Sequence, residues 1–384
     1  MIPYGHHHID EDDIQAVVDQ LRSGWLTQGP TVAAFENAVK DYVGAKYAVA
    51  VSSGTAGLHI AALAAGVGPG TAVVTSPITF VASSNVAFYC GADPLFADID
   101  ATNINMSPEK LATVLSRNAN VKAVIPVHFG GLPCDMVAIR QLADRGGVRI
   151  IEDAAHALGA TYEDGGKVGN CAHSDMTVFS FHPVKAIAAG EGGLITTNDD
   201  ALYHRLLRLR SHGINKLDDP LEMPEQSGPW YYEMQELGYN YRITDLQCAL
   251  ALSQFNKLDK FVARRRELAF AYDTAFAQMT HCRPAQPERR DQSGLHLYVL
   301  RIDFDAIGMS RADLMLTLRE RGIGTQVHYI PVPAQPFYRK YQFRPEDYHA
   351  ANSYYAEALS IPLFYDLTDA QQQGLIATFA ELVG

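Results

Sequence analysis

The stretch KYAVAVSSGTAGLHIAALAAGVGPGTAVVTSP, residues 46–77, decides the fold. It opens with a short apolar run, KYAVAVSS, that suits a buried strand. A Ser-Ser-Gly-Thr turn follows, then GTAGLHIAALAAG, whose small and apolar residues suit a helix stopped by glycine. TAVVTSP reads as a second strand. A strand, a helix and another strand in this order imply parallel pairing through a right-handed crossover.

Working outward, the alternation continues. IDEDDIQAVVDQLRSG (9–24) and TVAAFENAVKDYVG (31–44) read as helices before it. After it come a helix in FVASSNVAFYCG (80–91), strands in PLFADID (94–100) and VKAVIPVH (121–128), a helix in DMVAIRQLADRG (135–146) and a strand in VRIIEDA (148–154). The expectation is an α/β fold, a mostly parallel sheet covered by helices on both faces. Ligands on such sheets gather at the carboxyl ends of strands. From Thr244 the texture changes. Residues 243–276 predict one long helix or two joined ones, followed by the polar stretch RPAQPERRDQSG. LHLYVLRIDF, a helix in SRADLMLTLRERG, the strand-like GTQVHYIPV and a last helix from about Thr368 suggest a smaller α+β domain. We expect a large domain over 1–255 and a small one over 256–384, in keeping with usual domain sizes.

Composition sets limits on partners. A formal net charge of −12 argues against nucleic acid or an anionic membrane as the main partner. The five scattered cysteines form no C-x-x-C pair, which fits a reducing, cytoplasmic setting. No stretch has the layout of a signal peptide or the length of a membrane span. His6, His7 and His8 are adjacent and cannot converge on one point, so solvated side chains are expected there and no metal site.

Several stretches carry chemistry. Ser-Ser-Gly-Thr between a strand and a helix can cradle a phosphate, because glycine allows close approach and the helix start offers free N–H groups. An ordinary N-cap would look the same. A dinucleotide fingerprint is excluded, since G-x-G-x-x-G is absent and GVGPG (66–70) follows its helix. In RIIEDAAHALGA, Asp153 ends an apolar strand and His156 follows it. A carboxylate there caps a helix, or it faces a ring nitrogen that must stay protonated, as pyridoxal phosphate (PLP) requires. That cofactor also needs a lysine, a phosphate pocket and a flat neighbour for its ring. Lys185 stands alone among small and apolar residues in FSFHPVKAIAAGEGG (179–193), with Ser180 just upstream as a phosphate donor. Phe80, after a strand in TSPITFVAS, is a stacking candidate, with a core phenylalanine as the alternative.

Together SSGTAGLH, TSPITFVAS, EDAAHALGA, FSFHPVK, GEGGLITTND and GYNYRITDLQ make the chain resemble the sugar aminotransferases of the DegT/DnrJ/EryC1 group, which are fold-type I PLP enzymes. IPYG, GWLTQGP, TSPITF, SFHPVK and QVHYIPV most resemble the UDP-4-amino-4,6-dideoxy-N-acetyl-β-L-altrosamine transaminases of pseudaminic acid synthesis. The resemblance implies that Lys185 holds PLP covalently and carries the proton, that Asp153 pairs with the ring nitrogen, and that His156 lies beside the phenolic oxygen. It implies Phe80 on the ring face, and Gly54, Thr55 and Ser180 on the phosphate with Asn240 from the second subunit of a homodimer. Tyr4, Gly24, Trp25, Leu26, Thr27, Gln326, Val327, His328 and Tyr329 match segments that contact the nucleotide sugar. The implied donor is L-glutamate and the acceptor a 4-keto-6-deoxy nucleotide sugar. One departure is Ala188-Ala189, where related sequences have two threonines. Keeping a lysine where the group's 3-dehydratases have histidine disfavours dehydration. The readings left open are another 4-keto or a 3-keto nucleotide sugar, and a protein that binds PLP or a nucleotide sugar without turnover. Arg208, Arg210, His212 and Arg242 offer cations for a phosphate or carboxylate, or form ordinary ion pairs.

Overall fold

A computed structural model describes every residue except 217–219, 224–227 and 342. In chain order the first elements are α1 (Glu11–Arg22), α2 (Pro30–Val43), β1 (Tyr47–Val51), α3 (Gly54–Ala64), β2 (Ala72–Thr75), α4 (Ala82–Tyr89) and β3 (Asp93–Phe96). They continue with α5 (Pro108–Arg117), β4 (Val121–Ile125), α6 (Met136–Gly146), β5 (Arg149–Asp153), β6 (Met176–Ser180), β7 (Gly193–Thr197) and α7 (Asp200–Arg210). A short hairpin, β8 (Ile214–Asn215) and β9 (Glu233–Met234), precedes α8 (Asp245–Phe255) and α9 (Leu258–Phe276). The last part holds β10 (Cys282–Pro284), β11 (Tyr298–Ile302), α10 (Arg311–Glu320), α11 (Pro336–Arg339), α12 (His349–Glu357), β12 (Ala358–Ile361) and α13 (Asp369–Val383).

The large sheet has seven strands in the order β1-β7-β6-β5-β4-β2-β3. Its pairs are parallel except those made by β7, which runs antiparallel to both β1 and β6. Strict alternation of strands and helices does not foresee β7. Because it runs backwards, its connection from β6 stays at the carboxyl edge of the sheet. Residues 181–192, with Lys185 among them, are therefore held at the edge where α/β sheets bind ligands. Both faces of the sheet are covered, and α3 is buried on nearly all sides, which explains why its sequence is apolar with little polar face. Each fully buried valine, leucine or isoleucine contributes about 1.5–3 kcal/mol to holding these layers together.

The β5 end is fixed from behind. Glu152 is buried and accepts hydrogen bonds from Tyr162 Oη at 2.6 Å, Thr177 Oγ1 at 2.9 Å and His128 Nε2 at 2.6 Å. His128 Nδ1 accepts the Cys134 N–H, which leaves Nε2 as the donor to Glu152. With period-two alternation, Glu152 in this network turns Asp153 to the opposite face.

The smaller sheet is antiparallel, in the order β10-β11-β12. On β11, Tyr298, Leu300 and Ile302 face a core shared with α9, α10 and α13, while Val299 faces Ile78, Phe129 and Tyr354. Of the two readings for residues 243–276, two joined helices are found, α8 and α9. The two cores share α9: Leu258, Phe261 and Val262 pack with the large sheet, and Leu268 to Phe276 with the small one. Ile2 bridges to Ile323, so the N-terminus packs against the second core. GTQVHYIPV is not a strand. It makes one bridge, Gln326 to Ser360, and then turns inward through a cis His328–Tyr329 bond. His8 also departs from expectation: it is half-buried, its Nδ1 lies 2.8 Å from Asp366, and its ring packs edge-on to Tyr365.

Candidate active site

Three strand ends converge. Ser180, the last residue of β6, pairs with Gly193, the first of β7, and Gly193 pairs in turn with Val51 at the end of β1. This brings the lysine loop against the turn before α3. Ser53 caps that helix by accepting the Ala56 N–H at 3.1 Å, leaving other N–H groups of the first turn free to meet an anion. Gly54 is required by proximity: a Cβ there would lie 2.9 Å from the Ser180 Cβ. At Gly193 a Cβ would lie 2.6 Å from the Ser53 carbonyl oxygen.

These ends open into a cavity of about 400 Å³. Its wall includes Tyr4, Gly54, Thr55, Phe80, Asp153, His156, Ser180, Lys185, His328 and Tyr329. Ten of the expected site residues are thus brought together from six separate parts of the chain. Asp153 is buried, accepts the Ser83 hydroxyl at 2.6 Å and takes the Ala155 N–H at 3.1 Å. Its carboxylate is oriented but bonds no cation among the described residues, so it can still serve a ring N–H.

Lys185 is partly open to the cavity along its side chain, while protein surrounds its amine. That desolvation lowers its pKa from 10.5 to about 8, and the Asp153 charge opposes the shift. His156, buried, has Nε2 3.2 Å from Tyr329 Oη and an Nδ1 with no partner among the described residues. Burial and the Lys185 charge hold its pKa well below the ordinary histidine value. His328 is fixed by Ser360 Oγ at 2.8 Å, and burial lowers its pKa to about 3. Burial likewise raises the Tyr329 phenol. Phe80 is 58% exposed, so the core alternative fails and its ring is free for a flat ligand. These groups fit PLP: a buried amine, an oriented carboxylate, a glycine-lined helix start and an unsatisfied imidazole nitrogen in one cavity.

The remaining expected residues lie elsewhere. Gly24, Trp25, Leu26 and Thr27 are exposed, and Asn240 is exposed too. They are close to one another in the fold, because Thr27 bridges to Thr244 and the Leu26 carbonyl accepts the Asp245 N–H at 3.1 Å. Gln326 is exposed and Val327 half-buried, outside the cavity that holds the next two residues. Arg208 pairs with Glu236 at 3.3 Å and Arg210 with Glu36 at 2.7 Å. His212 and Arg242 line a separate open depression with them. Ala188 and Ala189 are buried, and the Ala188 N–H reaches Gln254 Oε1 at 3.4 Å, so the backbone there is satisfied without threonine hydroxyls. Sequence reading missed Ser83, His182, Glu191 and His296. Ser53 was legible as an N-cap; His296 gave no local signal, since it lies on the connection into β11.

Among the described residues, no helix is long and apolar enough to cross a membrane, and no three His, Cys, Asp or Glu side chains are arranged to hold a metal. The DegT/DnrJ/EryC1/StrS aminotransferase family matches residues 7–380. The chain is 40% identical over 386 aligned positions to the spore coat polysaccharide biosynthesis protein SpsC of Bacillus subtilis (strain 168), covering 100% of this chain and 97% of that one. Among solved structures it superposes on Helicobacter pylori PseC, an aminotransferase involved in the biosynthesis of pseudoaminic acid, with a TM-score of 0.91 and 28% identity, covering 100% and 99% of the two chains. The sugar aminotransferase Spr1654 of Streptococcus pneumoniae, described as putative, superposes in its PMP form with a TM-score of 0.90 and 29% identity, over 100% and 99% of the chains. The fold is thus that of the fold-type I PLP enzymes. The chain belongs to the DegT/DnrJ/EryC1/StrS aminotransferase family, whose members are PLP-dependent sugar aminotransferases.

Proposed function

We propose that this chain moves the amino group of L-glutamate to C4 of a 4-keto-6-deoxy nucleotide sugar, UDP-2-acetamido-2,6-dideoxy-β-L-arabino-hex-4-ulose. The observation that carries the transfer is the Lys185 amine, surrounded by protein and sharing a cavity with the oriented Asp153 carboxylate. When bound, PLP supplies an aldehyde carbon that takes up nitrogen and a ring that stores an electron pair from the α-carbon. Lys185 must be neutral to bond that carbon, and desolvation favours its neutral form. With the donor amine in its place, Lys185 would be free to carry a proton from the donor α-carbon to the cofactor carbon in the first half of the reaction, and from that carbon to the sugar C4 in the second. Asp153 holds a negative charge where the ring nitrogen is to stay protonated, and Ser83 and the Ala155 N–H keep that carboxylate from turning away. Gly54, Thr55 and Ser180 would hold the phosphate, with Phe80 available to the ring face and His156 to the ring oxygen.

The likeness to PseC supports the pseudaminic acid substrate, and Tyr4, His328 and Tyr329 supply the cavity wall beyond the cofactor. The 40% identity to SpsC, named for spore coat polysaccharide, favours a second reading: another 4-keto, or a 3-keto, nucleotide sugar. Asn240 and Gly24–Thr27, together on the outside of one subunit, fit a role in the cavity of a second copy. The five cysteines, all buried and unpaired, suit a cytoplasmic enzyme.

The transfer is checked by the visible band of the PLP-loaded protein, which should fall when L-glutamate is added. Lys185→Ala should lower turnover by at least about 10²-fold, the scale of a lost acid–base group. An unchanged band with glutamate would contradict the transaminase reading.

A further inference from the structure

The mechanism above leaves one buried side chain against Lys185 without a role. His296 Nε2 lies 3.5 Å from Lys185 Nζ, at the long end of hydrogen-bonding distance. The ring is 5% exposed and packs against His156, with centroids 4.4 Å apart at 40°. Its Nδ1 is buried without a partner among the described residues. Behind it, Arg265 donates to the Leu295 and His296 carbonyls at 3.3 and 3.4 Å.

Resting on the reading of Lys185 as the reacting amine, we propose that His296 is a positioning residue: an uncharged imidazole that accepts an N–H from the Lys185 amine and turns its lone pair into the cavity. The charges facing His296 are the cations Lys185 and Arg265, and its titratable neighbours are His156 and His328. None of these favours a second proton on the ring. Lys185 itself faces Asp153, His156, His296, His328 and Tyr329, with Glu191 and His182 on the cavity wall. A carboxylate in place of His296 would also orient the amine, but it would stabilise the ammonium and leave little free amine near neutral pH. A neutral acceptor orients without adding that charge. The tautomer this requires places the remaining proton on Nδ1, which is buried without a partner among the described residues.

The test uses the full-length protein freed of PLP, with dinitrofluorobenzene labelling of Lys185 followed against pH by peptide mass spectrometry. His296→Glu should raise the labelling midpoint by about one pH unit or more. His296→Leu should leave the midpoint near that of the unmodified chain, yet slow covalent PLP uptake by about tenfold, because the amine loses its orientation. His296→Gln, which keeps a neutral acceptor, should recover most of that loss. An unmoved midpoint in His296→Glu, or uptake by His296→Leu as fast as in the unmodified chain, would overturn the proposal. Borohydride reduction of PLP-loaded protein separates the two layers: if the unmodified chain does not retain the cofactor on Lys185, the reading of Lys185 fails first and the role of His296 with it.

Discussion

Lys185 shows how one residue's surroundings set its chemistry. In solution a lysine amine is almost wholly protonated at neutral pH, whereas here burial brings its pKa to about 8. The sign follows: free amine accumulates as pH rises through about 8, and it is lost below. Covalent uptake of PLP by the cofactor-free chain should therefore accelerate with pH and level off above about 8, measured by stopped-flow absorbance. A curve still rising steeply toward 10.5 would show an ordinary lysine. Lys185 was legible in the sequence because a lone charge among small and apolar residues stands out, and Asp153 because it closes an apolar strand. His296 was not, because its partner is 111 positions away and only the packing of β11 on the large sheet joins them.

At the scale of elements, the alternating strands and helices were legible from periodicity, and each expected strand from residue 47 to 153 is present. The reversed β7 was not legible, since an apolar run carries no direction. That reversal gives Gly193 its place beside Ser53, and it makes a clear prediction. Gly193→Ala puts a methyl against backbone that cannot move aside, so it should cost about 1–3 kcal/mol of stability. It should also weaken PLP binding by displacing the helix start at Gly54. Thermal unfolding and PLP titration check both effects. GTQVHYIPV misled for a related reason: alternation is a strand signal, but here it reflects His328 and Tyr329 entering the cavity from a segment bridged at one point.

For the whole molecule, the two cores share α9, and the cavity lies between the large sheet's carboxyl edge and His296, His328 and Tyr329 from the C-terminal part of the chain. Nothing local in the sequence encodes that closure. A second copy is expected to complete the site. Trp230, Met234 and Leu237 are each more than half exposed, in the segment that leads to Asn240. Exposed apolar clusters of this kind mark contacts. Trp230→Glu with Leu237→Glu should give a folded monomer with little activity, read by light scattering and circular dichroism; a fully active monomer would contradict the role of Asn240. Amino transfer to C4 of a nucleotide sugar is followed with isotopically labelled glutamate. The protein is incubated with nitrogen-labelled L-glutamate and UDP-, GDP- or dTDP-linked 4-keto and 3-keto sugars, and the products are read by mass spectrometry and NMR. The label should appear on C4 of the UDP-linked 4-keto-6-deoxy sugar and require Lys185. Label at C3, or none on any sugar in PLP-loaded protein, would contradict the account.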